Sequence, residues 1–346
     1  MEKDTVFIIG AGASKEANLP TGYELKGIIA NLLDMRFDWS EQKHGDHLIA
    51  NSLRAHVKKH DGNDNINPYL KEAWHIRDAL SQATSIDNFI DSQKGNDALV
   101  LCGKLSIVRS ILLSEKKSLL FFKKDSANSA INFNNIEQTW YIPFFQIITE
   151  NCSVSELEAR LKKVTLIIFN YDRCVEHFLF HAFINYYRIS EQESAELVKN
   201  ISIYHPYGKV GHLDWQDRNS ATEFGGDINA EVLLYLSEKI KTFTEGTDPE
   251  SSDIIEIRRK VENAHRVVFM GFAFHKLNMG LLKPAVIIRK DISNIKCFAT
   301  TLGISNSDKE VITEQISELY KMNITTNMAN VTCHNLFTEY WRSLSF

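Results

Sequence analysis

Thr5–Gly22 reads TVFIIGAGASKEANLPTG, a short apolar run that breaks into a glycine-punctuated turn. Val6, Phe7, Ile8 and Ile9 are too few for a helix and apolar without alternation, the pattern of a strand covered on both faces. Gly10 and Gly12 then permit a tight turn and close backbone approach to a pyrophosphate, and the N-terminus of the following helix offers N–H groups to its charge. Ser14 stands where it can cap that helix or bond a phosphate. Lys15 takes the place of the third glycine of the usual dinucleotide fingerprint, so this is not a standard GxGxxG dehydrogenase start.

Working outward, further apolar β-rich runs occur at Val164–Phe169, Ile201–Tyr204, Val267–Met270 and Ile295–Ala299, mostly separated by helical or irregular segments. That spacing predicts an α/β fold, a Rossmann-like doubly wound parallel sheet. From residue 23 to 163 the pattern changes: Ile28, Ile29, Leu32 and Leu33, then Leu99, Leu105, Val108, Ile111 and Leu112, recur at helical spacing. We read 23–163 as a mostly helical insertion, and 1–22 with 164–346 as a discontinuous Rossmann-like, nucleotide-binding core. Within the insertion, Phe37 to Asn67 is polar and rich in His, Asp and Asn, which predicts a long loop with short helical pieces. Near the end, Lys309–Lys321 reads as a helix, and Val331–His334 as a short strand before a terminal helix containing Trp341.

The 346 residues suffice for one large α/β domain with an insertion or for two modest domains, and the formal net charge of -5 gives no electrostatic reason to expect direct nucleic-acid binding. No apolar run approaches a membrane span, and the chain enters its first strand without a charged leader and apolar signal segment, so a cytoplasmic protein is expected. Cys102, Cys152, Cys174, Cys297 and Cys333 are scattered singly, with no CxxC pair for structural zinc or dithiol chemistry; they read as small buried hydrophobes. His44, His47, His56 and His60 lack a metal-binding frame and read as a solvated loop and helix face.

Chemistry concentrates where strands end, because ligand sites of doubly wound sheets open outside the carboxyl ends of the strands. After Val164–Phe169 come Asn170, Tyr171 and Asp172, which read either as an Asx turn capping the next helix or as groups aimed into the crevice. His205 follows Ile201–Tyr204 directly, in YHPYG, where an imidazole can transfer protons near neutral pH. A third strand ends at Gly271 in VVFMGFAFHKLN, Val267–Asn278. His275 lies close to that crevice. Asp87, in SIDNFID from Ser85 to Asp91, reads most simply as a helix cap, with a place lining the pocket as the alternative.

These segments, in this order, resemble the sirtuin (Sir2-type) family. GAGxSxxAxLP is similar to its opening motif, FNYD to its NxD element, YHPYG to its strand-ending histidine with a glycine close behind, and the Gly271 turn to its GxSxxD segment. Pro206 and Tyr207 separate His205 from Gly208, and Ala273 and Asn278 replace the more usual polar residues of the last segment. The resemblance implies that Gly10, Ala11, Gly12, Ala13, Ser14 and Thr21 hold the phosphate half of NAD, and that Gly271 and Phe272 touch its adenosine half. It implies that Asn170 orients ribose and a water at the nicotinamide bond, that Asp172 supports the pocket, and that His205 accepts a proton. Sirtuin deacetylases carry a zinc module with two CxxC pairs, which this chain lacks. The likeness therefore points to the NAD hydrolases of bacterial anti-phage defence, which use NAD as substrate and require neither metal nor redox cofactor. Family logic implies control by homo-oligomer assembly or by a partner such as a HerA-type ATPase or another sensor protein. No P-loop is present, so an ATPase would be a separate chain. A noncatalytic NAD or ADP-ribose binding module, and an NAD-dependent protein deacylase or ADP-ribosyltransferase, remain as alternatives.

Overall fold

The computed structural model describes residues 3–39, 41–123, 130–246, 251–284, 295–321 and 324–346. In chain order its strands are β1 (Thr5–Ile9), β2 (Arg36–Asp38), β3 (Glu41–His44), β4 (Val164–Ile168), β5 (Ser202–Tyr204), β6 (Arg266–Met270), β7 (Lys296–Thr300) and β8 (Thr326–Ala329). The helices are α1 (Ala11–Ser14), α2 (Gly22–Leu33), α3 (His47–Asp61), α4 (Asn67–Ala79), α5 (Ile86–Ser92), α6 (Asp97–Glu115), α7 (Tyr141–Thr149) and α8 (Val154–Leu161). After β4 follow α9 (Cys174–Tyr187), α10 (Glu191–Lys199), α11 (Ala230–Ser237), α12 (Phe243–Gly246), α13 (Ser252–Asn263), α14 (Lys276–Leu282), α15 (Asn306–Tyr320) and α16 (Cys333–Leu344).

Six strands form one sheet in the order β5-β4-β1-β6-β7-β8, every pairing parallel, so the chain winds outward from β1 to one edge and then from β6 to the other. This is the doubly wound α/β fold expected from the strand pattern. Successive side chains on a strand point to opposite faces, which decides the layers. Val6, Ile8, Ile167, Val267, Phe269, Cys297 and Ala299 pack on one face against α2 to α6, α11 and α13 to α15. Phe7, Ile9, Leu166, Ile168, Val268, Met270 and Phe298 pack on the other against α7 to α10 and α16. Residues 23–163 are mostly helical, yet they serve both faces: α2 to α6 lie on the first, α7 and α8 on the second. The first layer also recruits α11 from beyond β5, which packs on α3 and α6.

Two local expectations are corrected. Phe37–Asn67 is not a long loop: β2 and β3 pair antiparallel, and α3 follows as a fifteen-residue helix capped by the Asp46 side chain, which accepts from Ile49 N. Ile49, Leu53 and Val57, one every four residues, bury one stripe of α3, and the His, Lys and Asp residues that suggested a loop make up much of its outer face. The last strand is Thr326–Ala329, not Val331–His334, because the Thr332 side chain accepts from Asn335 N and starts α16 there. The helix expected at Lys309–Lys321 is α15, and β4 pairs as a strand through Ile168, with Phe169 N still donating to Ile9 O at 2.9 Å.

Candidate functional site

β1 lies between β4 and β6, the place where the winding reverses, so the turns after all three strands meet at one crevice. The β1 and β6 turns lock backbone to backbone. Gly10 N donates to Met270 O and Gly12 N to Gly271 O, both at 3.0 Å, while Ala13 N donates back to Gly10 O. A Cβ on Gly10 would lie 2.5 Å from Gly271 O, and one on Gly12 would lie 2.8 Å from the Gly271 Cα. Gly271 itself has φ +54°, and a Cβ there would run into the Ala13 nitrogen. The glycines of the opening turn are thus required by the neighbouring turn, whatever they do for a ligand, and the N–H groups of Gly12 and Ala13 are already engaged. Gly271→Ala combines left-handed strain with a backbone clash and is expected to cost about 2–4 kcal/mol, read as a lowered midpoint in urea unfolding. A midpoint equal to that of the native chain would show that the turns separate freely.

Ser14, Asn170 and Asp172 come together. The Asn170 Nδ2 amide donates to Ser14 Oγ at 2.8 Å, and Ser14 Oγ donates to Asp172 Oδ2 at 2.8 Å. Asp172 Oδ1 accepts from Cys174 N at 3.1 Å, so the same carboxylate forms an Asx turn into α9 and holds the opening turn. All three side chains are buried. Burial pushes the Asp172 carboxyl above its ordinary range, against the opposing pull of the Ser14 hydroxyl and the Cys174 N–H. From the other side Glu16, which carried no signal in the sequence, accepts from Trp140 N and His334 N, fastening the turn to the starts of α7 and α16.

His205 reaches Asn170 through the main chain: its Nδ1 lies 3.2 Å from the Asn170 carbonyl oxygen. Its Nε2 lies 3.0 Å from Glu176 Oε1 on α9, an oxygen that also accepts from Lys209 Nζ at 2.7 Å. Each ring nitrogen therefore faces an acceptor, and neither offers a free lone pair to the crevice. Burial alone would raise the Glu176 carboxyl, but the Lys209 ammonium and the His205 ring beside it hold it well below the usual carboxylate range. Neither Glu176 nor Lys209 was found in the sequence.

Arg173, next to Asp172, forms a wholly buried ion pair with Glu115 at the end of α6: both side chains are 0% exposed, and Arg173 Nη2 lies 2.5 Å from Glu115 Oε2. The same guanidinium donates to the carbonyls of Thr222 and Glu223, and Glu115 accepts from Gly225 N. The pair thus ties the long loop after β5 to both helical layers.

Asp87 does not cap α5; Ser85 does, accepting from Asn88 N at 3.1 Å. Asp87 instead accepts from the Tyr171 hydroxyl at 2.5 Å, which brings the helical layer to the NYD turn. Burial pushes its carboxyl up to about 6, against the pull of that hydroxyl. An acid whose folded pKa is raised binds more protons folded than unfolded, so it lowers stability as pH rises from its ordinary 3.8 through about 6. Unfolding midpoints of the native chain and Asp87→Asn, compared between pH 4 and 8, are expected to diverge to the native chain's disadvantage up to about pH 7. A pH-independent difference would rule the shift out.

Phe272 adjoins the opening turn, its Cα 2.8 Å from where a Cβ on Gly10 would lie. Its side chain is buried among Phe169, Phe269 and Phe274, ring centroids 5.0 to 5.7 Å away. Thr21 makes a capping box with Glu24 at the start of α2. Ala11 opens α1, and exposed His275 precedes α14. A cavity of about 370 Å³ between α9, α10 and the loop after β5 is walled by His177, Phe180, Trp215 and Phe224, and one of about 300 Å³ beside it includes Glu176 and Lys209. Neither includes Gly10 to Ser14, Asn170 or Gly271. All five cysteines are buried. Among the described residues no group of three or more His, Cys, Asp or Glu is placed to hold a metal ion, and no helix is long and apolar enough to cross a membrane. Compared with known proteins, the chain matches no family model and no curated protein, so its functional reading rests on its own residues.

Proposed function

We propose that this chain is a sirtuin-like NAD hydrolase that cleaves NAD to nicotinamide and ADP-ribose and serves bacterial antiviral defence by depleting the cell of NAD. The observation that carries the reading is the relay from Asn170 through Ser14 to Asp172, which joins the GAGAS turn to the NYD turn at the switch point of the sheet. In the reaction the carbon–nitrogen bond breaks with its electron pair on nicotinamide, the ribose carbon gains oxocarbenium character, and a water adds there and gives up a proton. Asn170 aims that water and binds ribose, Asp172 holds Asn170 in place through Ser14, and the turn from Gly10 to Ser14 faces the phosphates, which Thr21 joins only by giving up its capping box with Glu24. For His205 to take the proton, the ring must carry a single N–H and turn its other nitrogen, with a free lone pair, away from its present acceptor and toward the water. NAD is consumed as substrate, and the chemistry calls for no metal or redox cofactor. The reading places the protein in the cytoplasm as a homo-oligomer, restrained by assembly or by a HerA-type ATPase or other sensor, and away from membrane and nucleic acid.

Chromatography of NAD incubated with the purified chain tests this. Nicotinamide and ADP-ribose should appear with the native chain and not with Asn170→Ala. A second reading, a noncatalytic NAD or ADP-ribose binding module, is favoured by the engagement of both His205 ring nitrogens. It predicts intact NAD together with measurable ADP-ribose binding in calorimetry.

A further inference from the structure

We propose that Glu176 is a positioning residue that acts on Asn170 through His205, an assignment that rests on the NAD-hydrolase reading. Asn170 stands just beyond Phe169, whose N–H bond to Ile9 is the last that β4 makes with β1, so its own peptide is held by other means. Its side-chain amide is held by Ser14 and its carbonyl by His205. His205 is in turn fixed at its other nitrogen by Glu176, whose side chain is 1% exposed. One carboxylate oxygen receives both the imidazole and the Lys209 ammonium, so α9 and the loop after β5 are joined at a charged, nearly dry point. Charge-assisted bonds of this kind are about twice as strong as neutral ones. With the carboxylate replaced by an amide, the ring loses its strong acceptor and turns about its Cβ–Cγ bond. The Asn170 carbonyl then loses its donor, and the amide that would aim the water loses its fixed backbone. A displacement near 1 Å in such a group costs about 100-fold in rate.

The experiment compares the full-length native chain with Glu176→Gln, His205→Ala and the double variant, with circular dichroism melts as the check on folding. Glu176→Gln is expected to lower kcat for NAD by about 10- to 100-fold with KM within about twofold, because geometry rather than uniform binding is lost. In the double variant the loss should equal that of His205→Ala alone, since a residue acting through another adds nothing once the other is gone. Losses that multiply, or a Glu176→Gln kcat within about twofold of native, would overturn the assignment. Should Glu176→Gln fail to fold, Lys209→Met strips the same carboxylate of its solvent-side donor and should act in the same direction with a smaller loss; no loss would count against the clamp. Imidazole ¹⁵N spectra of the histidine-labelled chain give a readout free of turnover. The His205 ring signals should move in Glu176→Gln, and unchanged signals would refute the proposal. If the native chain leaves NAD intact, the NAD-hydrolase reading fails, and these spectra alone decide whether Glu176 holds His205.

Discussion

Asn170→Ala is expected to abolish NAD turnover, lowering kcat by about 10³-fold or more, with the unfolding midpoint shifted by only a few degrees. The two halves of the expectation have separate origins. The rate loss follows from removing the one amide at the carboxyl end of β4 that meets the opening turn. The small stability loss follows from the local chemistry: Ser14 loses a donor but keeps its bond to Asp172, and one neutral hydrogen bond contributes about 1 kcal/mol. Turnover measured beside a thermal melt separates them. A variant that melts far below the native chain would make Asn170 a structural residue, and one that turns over normally would remove it from the chemistry.

Glu115→Ala carries the largest expected loss of stability, about 3–5 kcal/mol, which for a chain of this size lowers the melting midpoint by about 4–7 °C. Arg173 would remain 0% exposed with no counter-charge, and the Gly225 N–H would lose its acceptor. Replacing both partners with apolar residues, Glu115→Leu with Arg173→Met, should recover part of the loss. The recovery is incomplete because the carbonyls of Thr222 and Glu223 lose their donor. Calorimetry on the native chain and the two variants checks the order, and a Glu115→Ala cost below about 1 kcal/mol would mean that the pair is not buried in solution.

How much of this was legible in the sequence depends on the range of the interaction. The strands at Val6, Val164, Val267 and Ile295 were legible because a strand covered on both faces must be apolar throughout, a property its own residues carry. The α3 helix was missed because its buried stripe is narrow and its outer face is as polar as a loop. The meeting of Ser14 with Asn170 and Asp172 followed from topology once the strands were placed. Glu176, Lys209, Glu115 and Glu16 were not legible, since a charged residue on a helix or in a loop looks the same whether its partner is solvent or a residue up to 318 positions away, as His334 is from Glu16. The reason for Gly10 and Gly12 was likewise only half visible, because the turn that crowds them lies beyond residue 270.

The placement of α11 beside α3 and α6 has a consequence for motion. The loop after β5 begins at His205, held at Glu176, is gripped midway by the Arg173–Glu115 pair, and ends in a helix embedded in the first layer. A loop anchored at three points does not swing as a flap. Any widening of the crevice must carry that layer with it, so the loop and α3, α6 and α11 behave as one cooperative unit, and access to the centre becomes a slow collective breathing rather than the fast flicker of a surface segment.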